Sequence, residues 1–237
     1  MVRKVFASSR NTYGSRRIVV VLKKLGIICN KNQVAKLMSE NGLYAKGRRK
    51  YRVTTDSNHS LRIAPNLVNR NFALEKKNKV WVGDITYIWT YEGWLYLSTV
   101  IDLYSRKVIS WSLSNRMTKQ LVTRSLIDAI KTRKPEAGLI FHSDQGVQYA
   151  SNEFRNILAS INAKPSMSRR GNCWDNAVAE SFFKTIKTEL IKWENFQTRK
   201  EADMKIFSYI EIFYNRQRIH STIGYVSPVE FEEQNHA

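Results

Sequence analysis

The sequence predicts a mixed α/β protein with a basic helical segment in front of it. From residue 79 the apolar pattern takes period two and holds it through three β-branched and aromatic runs separated by short turns. Helical and strand-like runs then alternate as far as residue 190, an order that builds a sheet flanked by helices. The charge is uneven in the same sense. Sixteen of the 39 Lys and Arg residues fall in the first seventy positions, against only Glu40 and Asp56, so a basic arm or domain precedes a part that holds the other acids.

The elements follow in order. "YGSRRIVVVLKKLGIICNKNQVAKLMSENGLYAKGRRKYR" (13–52) reads as two short helices. The first covers about 15–25 and ends at Gly26; the second opens near Asn30 or Asn32, carries Val34, Leu37 and Met38 on one face, and ends at Gly42. Helix, short turn, helix and a basic tail with Arg48, Arg49 and Lys50 make a DNA-docking unit, the plainer alternative being two small helices that only pack on each other. Residues 53–72 are polar, lack periodicity and contain Pro65, so they read as a linker. Runs 79–90, 93–105 and 106–114 are expected as consecutive antiparallel strands, turning at Tyr91-Glu92-Gly93 and at Ser105-Arg106. A helix over 118–131, a strand over 138–144, a helix capped by Ser151, a short strand near "KPSMS" and the helix in "AVAESFFKTIKTEL" complete the alternation. A last helix over 199–215 packs through Ile206, Tyr209, Ile210 and Phe213. Its end carries Arg216, Arg218 and His220, cations favoured at a helix C-terminus and suited to DNA.

At 237 residues with 43% apolar content the chain supports one large domain or two unequal ones. A formal charge of +19 and a pI near 10 exceed what solubility asks and attract polyanions. Cys29 and Cys173 stand alone, without the spacing of a zinc site or a disulfide framework, which fits an intracellular chain. The N-terminus has no apolar h-region and the apolar runs are short, so neither a signal peptide nor a membrane span is expected.

Three acids stand out. Period two puts Asp84 on a strand face with Val80, Val82, Thr86 and Ile88, where a carboxylate is costly unless paired or bound to a metal. Asp144 closes a strand just before Gln145-Gly146, the edge at which open α/β sheets bind ligands; the alternative is a turn-forming Asp. Glu180 shares a helix face with Lys184 and Lys187, apart from the stripe of Val178, Phe182, Ile186 and Leu190. An ordinary Glu–Lys pair explains that spacing but not the other two acids. Three hard oxygen ligands meeting at a sheet edge suit Mg²⁺ or Mn²⁺, and two such ions serve in-line displacement at phosphorus. Lys184 and Lys187 would then meet phosphate.

Neighbouring residues carry weaker expectations. His142 lies at the edge of the site or is a packed, satisfied histidine; Asp175 and Asn176 read as a cap and early-turn pair or as substrate-positioning groups. Arg169 and Arg170 are placed for phosphate, Trp174 for stacking on a base or for packing, and Asp102 for a turn or an ion pair.

"WVGDITYI", "DLYSRKVISW", "FHSDQGVQYAS", "GNCWDNAVAESFFKTIKTE" and "YNRQRIHSTIGYVSP", with 35 residues between Asp144 and Glu180, closely resemble the second-frame subunit of two-frame bacterial insertion-sequence transposases. That family belongs to the retroviral-integrase superfamily. The resemblance runs from about residue 13 to 231 and includes the "YGSRRI" segment. It implies an RNase H-like core, a mixed five-stranded sheet flanked by helices, with a small N-terminal helical DNA-binding domain and a C-terminal helical extension. The divisions expected are 1–65, 73–195 and 196–237. It further implies Asp84, Asp144 and Glu180 as the metal-binding catalytic triad, Lys187 on DNA, and Mg²⁺ or Mn²⁺, two ions during catalysis. The chemistry implied is cleavage at transposon ends followed by strand transfer of the 3′-OH, with no covalent protein–DNA intermediate. The partners implied are double-stranded DNA, further copies of the chain on that DNA, and a first-frame helix-turn-helix protein, in the bacterial cytoplasm at the nucleoid. Family members usually carry more helical sequence upstream of "YGSRRI", which sets the expectation of a shortened copy that keeps the chemistry but not end recognition. Two other readings stand beside it: a catalytically idle DNA-binding relic or regulator, and another RNase H-like nuclease.

Overall fold

A computed structural model describes residues 1–47, 63–72, 74–169 and 173–235. Arg48, Arg49, Lys50, Arg170 and the side chain of Trp174 lie outside the described residues. The elements run α1 (Val2–Ser8), α2 (Ser15–Lys24), α3 (Lys31–Glu40), β1 (Val80–Thr90), β2 (Gly93–Asp102), β3 (Val108–Ser114), α4 (Lys119–Arg133), β4 (Ile140–Ser143), α5 (Asn152–Ser160), β5 (Lys164–Met167), α6 (Ala177–Glu189), α7 (Arg199–Phe207) and α8 (Pro228–Gln234).

The strands form one mixed sheet in the order β3-β2-β1-β4-β5. The first three make an antiparallel meander; β4 joins β1 in parallel through Val80↔Ile140, Trp81↔Phe141 and Val82↔His142, and β5 joins β4 in parallel. Period two sorts β1 to opposite sides. Val80, Val82 and Ile88 join one apolar cluster with α6, α7 and the N-terminal helices, while Trp81 joins Phe141, Phe154, Leu126 and Leu158 under α4 and α5. Gly83 permits this: a Cβ there would stand 2.6 Å from Phe141 Cζ and 3.3 Å from Tyr149 Cε1, so only glycine lets these rings close on the strand.

Strand 2 stops at Asp102 rather than at 105 for a local reason. The Tyr104 N–H donates to Asp102 Oδ1 at 2.9 Å, the Asn78 N–H to Oδ2 at 2.8 Å, and Arg106 turns left-handed at φ 63°, so Asp102 is the turn former of its two expected roles.

Of the three N-terminal helices only α3 opens on a side-chain cap. Asn30 and Gln33 form a reciprocal capping box on α3. Val5, Phe6, Ile18, Leu22, Val34 and Met38 are buried in the same cluster as Phe182, Ile186, Tyr209 and Phe213, so the helices pack onto α6 and the segment from 206 to 213 as well as on each other. The linker is docked in its described part: Val68 is buried and the Leu67 N–H donates to Ser166 Oγ at 2.9 Å. The expected helix over 199–215 is two things, α7 and a π-helical stretch from Ser208 to Tyr214. Among the described residues no helix is long and apolar enough to cross a membrane.

Candidate active site

The parallel pairing of β1 with β4 ends at Val82↔His142, and two residues further along each chain stand Asp84 and Asp144. Both are half-buried at the edge where these strands part. The Ile85 N–H donates to Asp84 Oδ1 at 2.8 Å, and the Gly146 N–H to Asp144 Oδ1 at 3.0 Å. Gly146 matters by what it lacks: a Cβ there would stand 2.9 Å from Asp144 Oδ1. Glu180 lies in the first turn of α6, also half-buried.

The three carboxylates feel one another. Burial, then the charge of Asp144, then that of Glu180, push the Asp84 carboxyl well above the usual carboxylate range, against the Ile85 N–H and Lys187. Burial raises Glu180 as well; Lys184 pulls it back and Asp144 adds to the rise. Burial lowers the Lys187 ammonium, and Asp84 holds it up. Such a site asks for a cation, and its donors are all carboxylate oxygens. As they stand, no three His, Cys, Asp or Glu side chains among the described residues are gathered tightly enough to enclose a metal ion.

The neighbours divide sharply. His142 is buried between two hydroxyls, with Nδ1 2.8 Å from Ser166 Oγ and Nε2 3.2 Å from Ser168 Oγ, which makes it a packed, satisfied histidine whose pKa burial lowers. Asp175 does not cap α6. It accepts from Arg169 Nε at 2.8 Å, Arg169 Nη2 at 2.9 Å, the Arg169 N–H at 3.1 Å, Arg70 Nε at 3.1 Å and Asn66 Nδ2 at 2.9 Å. Asn176 occupies the N-cap position of α6 and Asp175 the turn before it, as expected, but neither side chain makes a capping bond to α6. The reason is competition, because two guanidinium groups outbid a backbone N–H for the carboxylate. Arg169, expected on phosphate, is thereby engaged with Asp175, although its side chain is half exposed.

Arg218 is a correction. Expected on DNA, it is buried, with Nε 2.9 Å from Glu189 Oε2 and Nη2 2.7 Å from Oε1, and is committed to the interior. Arg216 and Lys184 are exposed and Lys187 is half-buried. Sequence reasoning missed Gly83, the Asn66 and Arg70 anchors and the Glu189–Arg218 pair. A glycine inside a strand was the one available signal, since it marks close approach of other groups.

One acid within β1 and one just past β4, where these parallel strands part, with a third on the later helix α6 and a sheet ordered β3-β2-β1-β4-β5, define an integrase-type α/β core. Integrase core domain profiles match residues 75–173 and 180–235, and an HTH-like domain profile matches 2–51. The chain is 47% identical to the transposase for insertion sequence element IS904 of Lactococcus lactis, over 99% of this chain and 92% of that one. It is 42% identical to transposase InsF for insertion sequence IS3A of Escherichia coli, over 99% and 82%. An uncharacterized 31 kDa protein of insertion element IS600 from Shigella sonnei is 47% identical over 96% and 84%. The fold matches a chain of the simian T-cell lymphotropic virus intasome, solved in complex with PP2A regulatory subunit B56 gamma, at a TM-score of 0.57 and 15% identity, covering all of this chain and 75% of that one. The chain belongs to the integrase-core, DDE-type transposases of bacterial insertion sequences.

Proposed function

We propose that Asp84, Asp144 and Glu180 are the catalytic triad of this transposase and hold divalent cations, Mg²⁺ or Mn²⁺, two during reaction. The observation that carries the reading is their placement: Asp84 and Asp144 stand two residues past the last β1–β4 pair and Glu180 is in the first turn of α6, near enough for the charges of Asp144 and Glu180 to raise Asp84. The donor set fits, because hard cations take carboxylate oxygens and all three side chains supply them. When bound, such ions activate an attacking hydroxyl and stabilise the leaving oxygen of an in-line displacement at phosphorus.

The rest falls to the chain's own residues. Strands β1 and β4 fix the two aspartates, and the Gly146 N–H orients Asp144. Helix α6 supplies Glu180 and, one and two turns on, Lys184 and Lys187 for the phosphate backbone. In the first displacement a water oxygen attacks the phosphodiester at the transposon end, forming a 5′-phosphate on the flanking strand and expelling the 3′ oxygen, which takes up a proton as the 3′-OH. In the second, that 3′ oxygen attacks a target phosphodiester and expels the target's own 3′ oxygen. Arg216 would bind double-stranded DNA, and Arg48, Arg49, Lys50 and Arg170, outside the described residues, are proposed to do the same; Arg169 would do so only by leaving Asp175. Two ends must be held together, which calls for further copies of the chain, and a first-frame helix-turn-helix protein would supply end recognition, all at the nucleoid in the cytoplasm.

The test is strand transfer of a labelled transposon-end oligonucleotide with Mg²⁺ or Mn²⁺, wild type against Glu180→Gln. The variant should keep DNA affinity within about twofold and lose nicking and joining by at least about a thousandfold. Joining at the wild-type rate would sink the triad assignment.

A further inference from the structure

The hairpin of β1 and β2 extends beyond the acidic edge and carries aromatic rings that the core does not use. Past Val82 that edge of β1 has no strand beside it among the described residues. Tyr87, Trp89 and Trp94 are 38%, 55% and 44% exposed, and Tyr91 at the turn is 69% exposed, which removes burial as their explanation. They form a ladder. Trp89 and Trp94 face each other across the strands, ring centroids 5.0 Å apart at 75°, and Tyr87 meets Trp94 at 5.2 Å and 89°. Edge-to-face contacts hold each ring while leaving faces to solvent.

The hairpin is braced, so the ladder is rigid. The Tyr91 N–H donates to the Phe196 carbonyl at 3.0 Å, the Arg199 N–H to Glu92 Oε2 at 2.8 Å, and Arg199 Nε to the Trp94 carbonyl at 3.3 Å. One side chain joins ladder and site. Lys187 Nζ lies 4.9 Å from the centre of the Tyr87 ring and within the electrostatic reach of Asp84. Tyr87 is three residues from Asp84 and Trp89 is five, about 10 and 17 Å along the strand and on its other face by period two, so a DNA strand would reach both around the free edge of β1 where Lys187 lies.

We propose that Tyr87, Trp89 and Trp94 form a stacking platform for unpaired DNA bases, two or three nucleotides from the phosphate that reacts at the acidic edge. The inference rests on the triad reading for where the reacting phosphate lies. Charge decides the class of partner. Lys187 lies over the Tyr87 ring with Lys192 in its electrostatic reach, Arg199 donates to the Trp94 carbonyl, and Glu92 is engaged by the Arg199 N–H. In a chain of net charge +19 that surface repels a second copy and attracts a polyanion. Aromatic faces beside cations suit bases next to phosphates, and a paired duplex offers no base face except at its end. The platform therefore serves an end that has frayed or carries an overhang.

The experiment reads binding alone, in Ca²⁺ and with the full chain, so it does not depend on whether the triad catalyses. Affinity is measured for a blunt transposon-end duplex and for the same duplex with a three-nucleotide single-stranded overhang, using wild type, Trp89→Ala, Trp89→Phe and Lys187→Ala. Trp89→Ala should weaken overhang binding about tenfold, one base stack, and blunt binding less than twofold, with an unchanged salt slope. Trp89→Phe should restore most of the difference, and Lys187→Ala should weaken both and lower the slope by about one. Equal losses on both duplexes, or none, would overturn the platform. So would loss of self-association in sedimentation with DNA affinity intact, which would make the ladder a face between copies of the chain.

Discussion

Asp84 and Asp175 are both enclosed acids, and their surroundings drive them in opposite directions. Burial and like charges push Asp84 up, whereas Arg169, helped by the backbone and Arg70, holds Asp175 far below the usual carboxylate range. The first is the condition of a cation site, the second that of a finished ion pair. Asp175 ties the linker, through Asn66 and Arg70, to the segment that leads into α6. Because its folded-state pKa is depressed, it contributes stability above its unfolded value of about 3.9 and loses it as pH falls from there toward the folded value. Asp175→Asn should lower stability at pH 7 by about 1–2 kcal/mol, the buried-pair cost discounted for two half-exposed arginines, and flatten the dependence below about pH 4. Denaturant unfolding at pH 7 and pH 3 checks it; an equal deficit at both would show that the charge is not what Asp175 supplies. Its role was illegible in the sequence because Asn66 and Arg70 lie across a linker that carries no periodic signal. Glu180 was legible because helical spacing separated it from the apolar stripe.

At the scale of elements, reading succeeded where local chemistry sets the boundary and failed where tertiary packing does. Asn30 and Ser151 announced α3 and α5 and cap them, and the period-two runs announced β1 to β3. Short α1 was missed because seven residues without a side-chain cap offer no start signal, and it is held by burying Val5 and Phe6. The π-helical stretch from Ser208 to Tyr214 was read as ordinary helix, since the pattern of Tyr209, Ile210 and Phe213 suits either. The turn after β4 shows how an element serves the site. Gly146 lies where any Cβ meets Asp144 Oδ1, and that oxygen ends a short side chain that can rotate away. Gly146→Ala should therefore cost less than about 1 kcal/mol of stability yet slow strand transfer at least about tenfold by moving Asp144. Unchanged strand-transfer kinetics would show that the site tolerates that movement.

For the whole molecule the expected division into 1–65, 73–195 and 196–237 meets a core that crosses both borders. Glu189, at the end of the helix whose first turn carries Glu180, binds Arg218 in the C-terminal extension, accepts from Tyr209 at 2.7 Å and lies 4.0 Å from Arg17 of α2, and its carbonyl accepts from Lys46 at 2.9 Å. The Tyr13 hydroxyl accepts from the Ile219 N–H at 2.8 Å. Apolar packing continues across the same joint, from Ile18 and Leu22 to Ile206 and Phe213. A chain lacking residues 1–47 would expose that face and leave Arg218 and Glu189 a pair partly open to water. We expect it to aggregate or to unfold at least about 10 °C below the full chain, since two or three uncovered large side chains, at about 1.5–3 kcal/mol each, are a large fraction of a domain's stability. Size-exclusion chromatography and thermal unfolding decide it. A soluble monomer with the full chain's Tm would mean that the N-terminal helices are a separable DNA-docking unit. Loss of stability would mean that DNA bound by those helices acts on the same rigid core that positions Glu180.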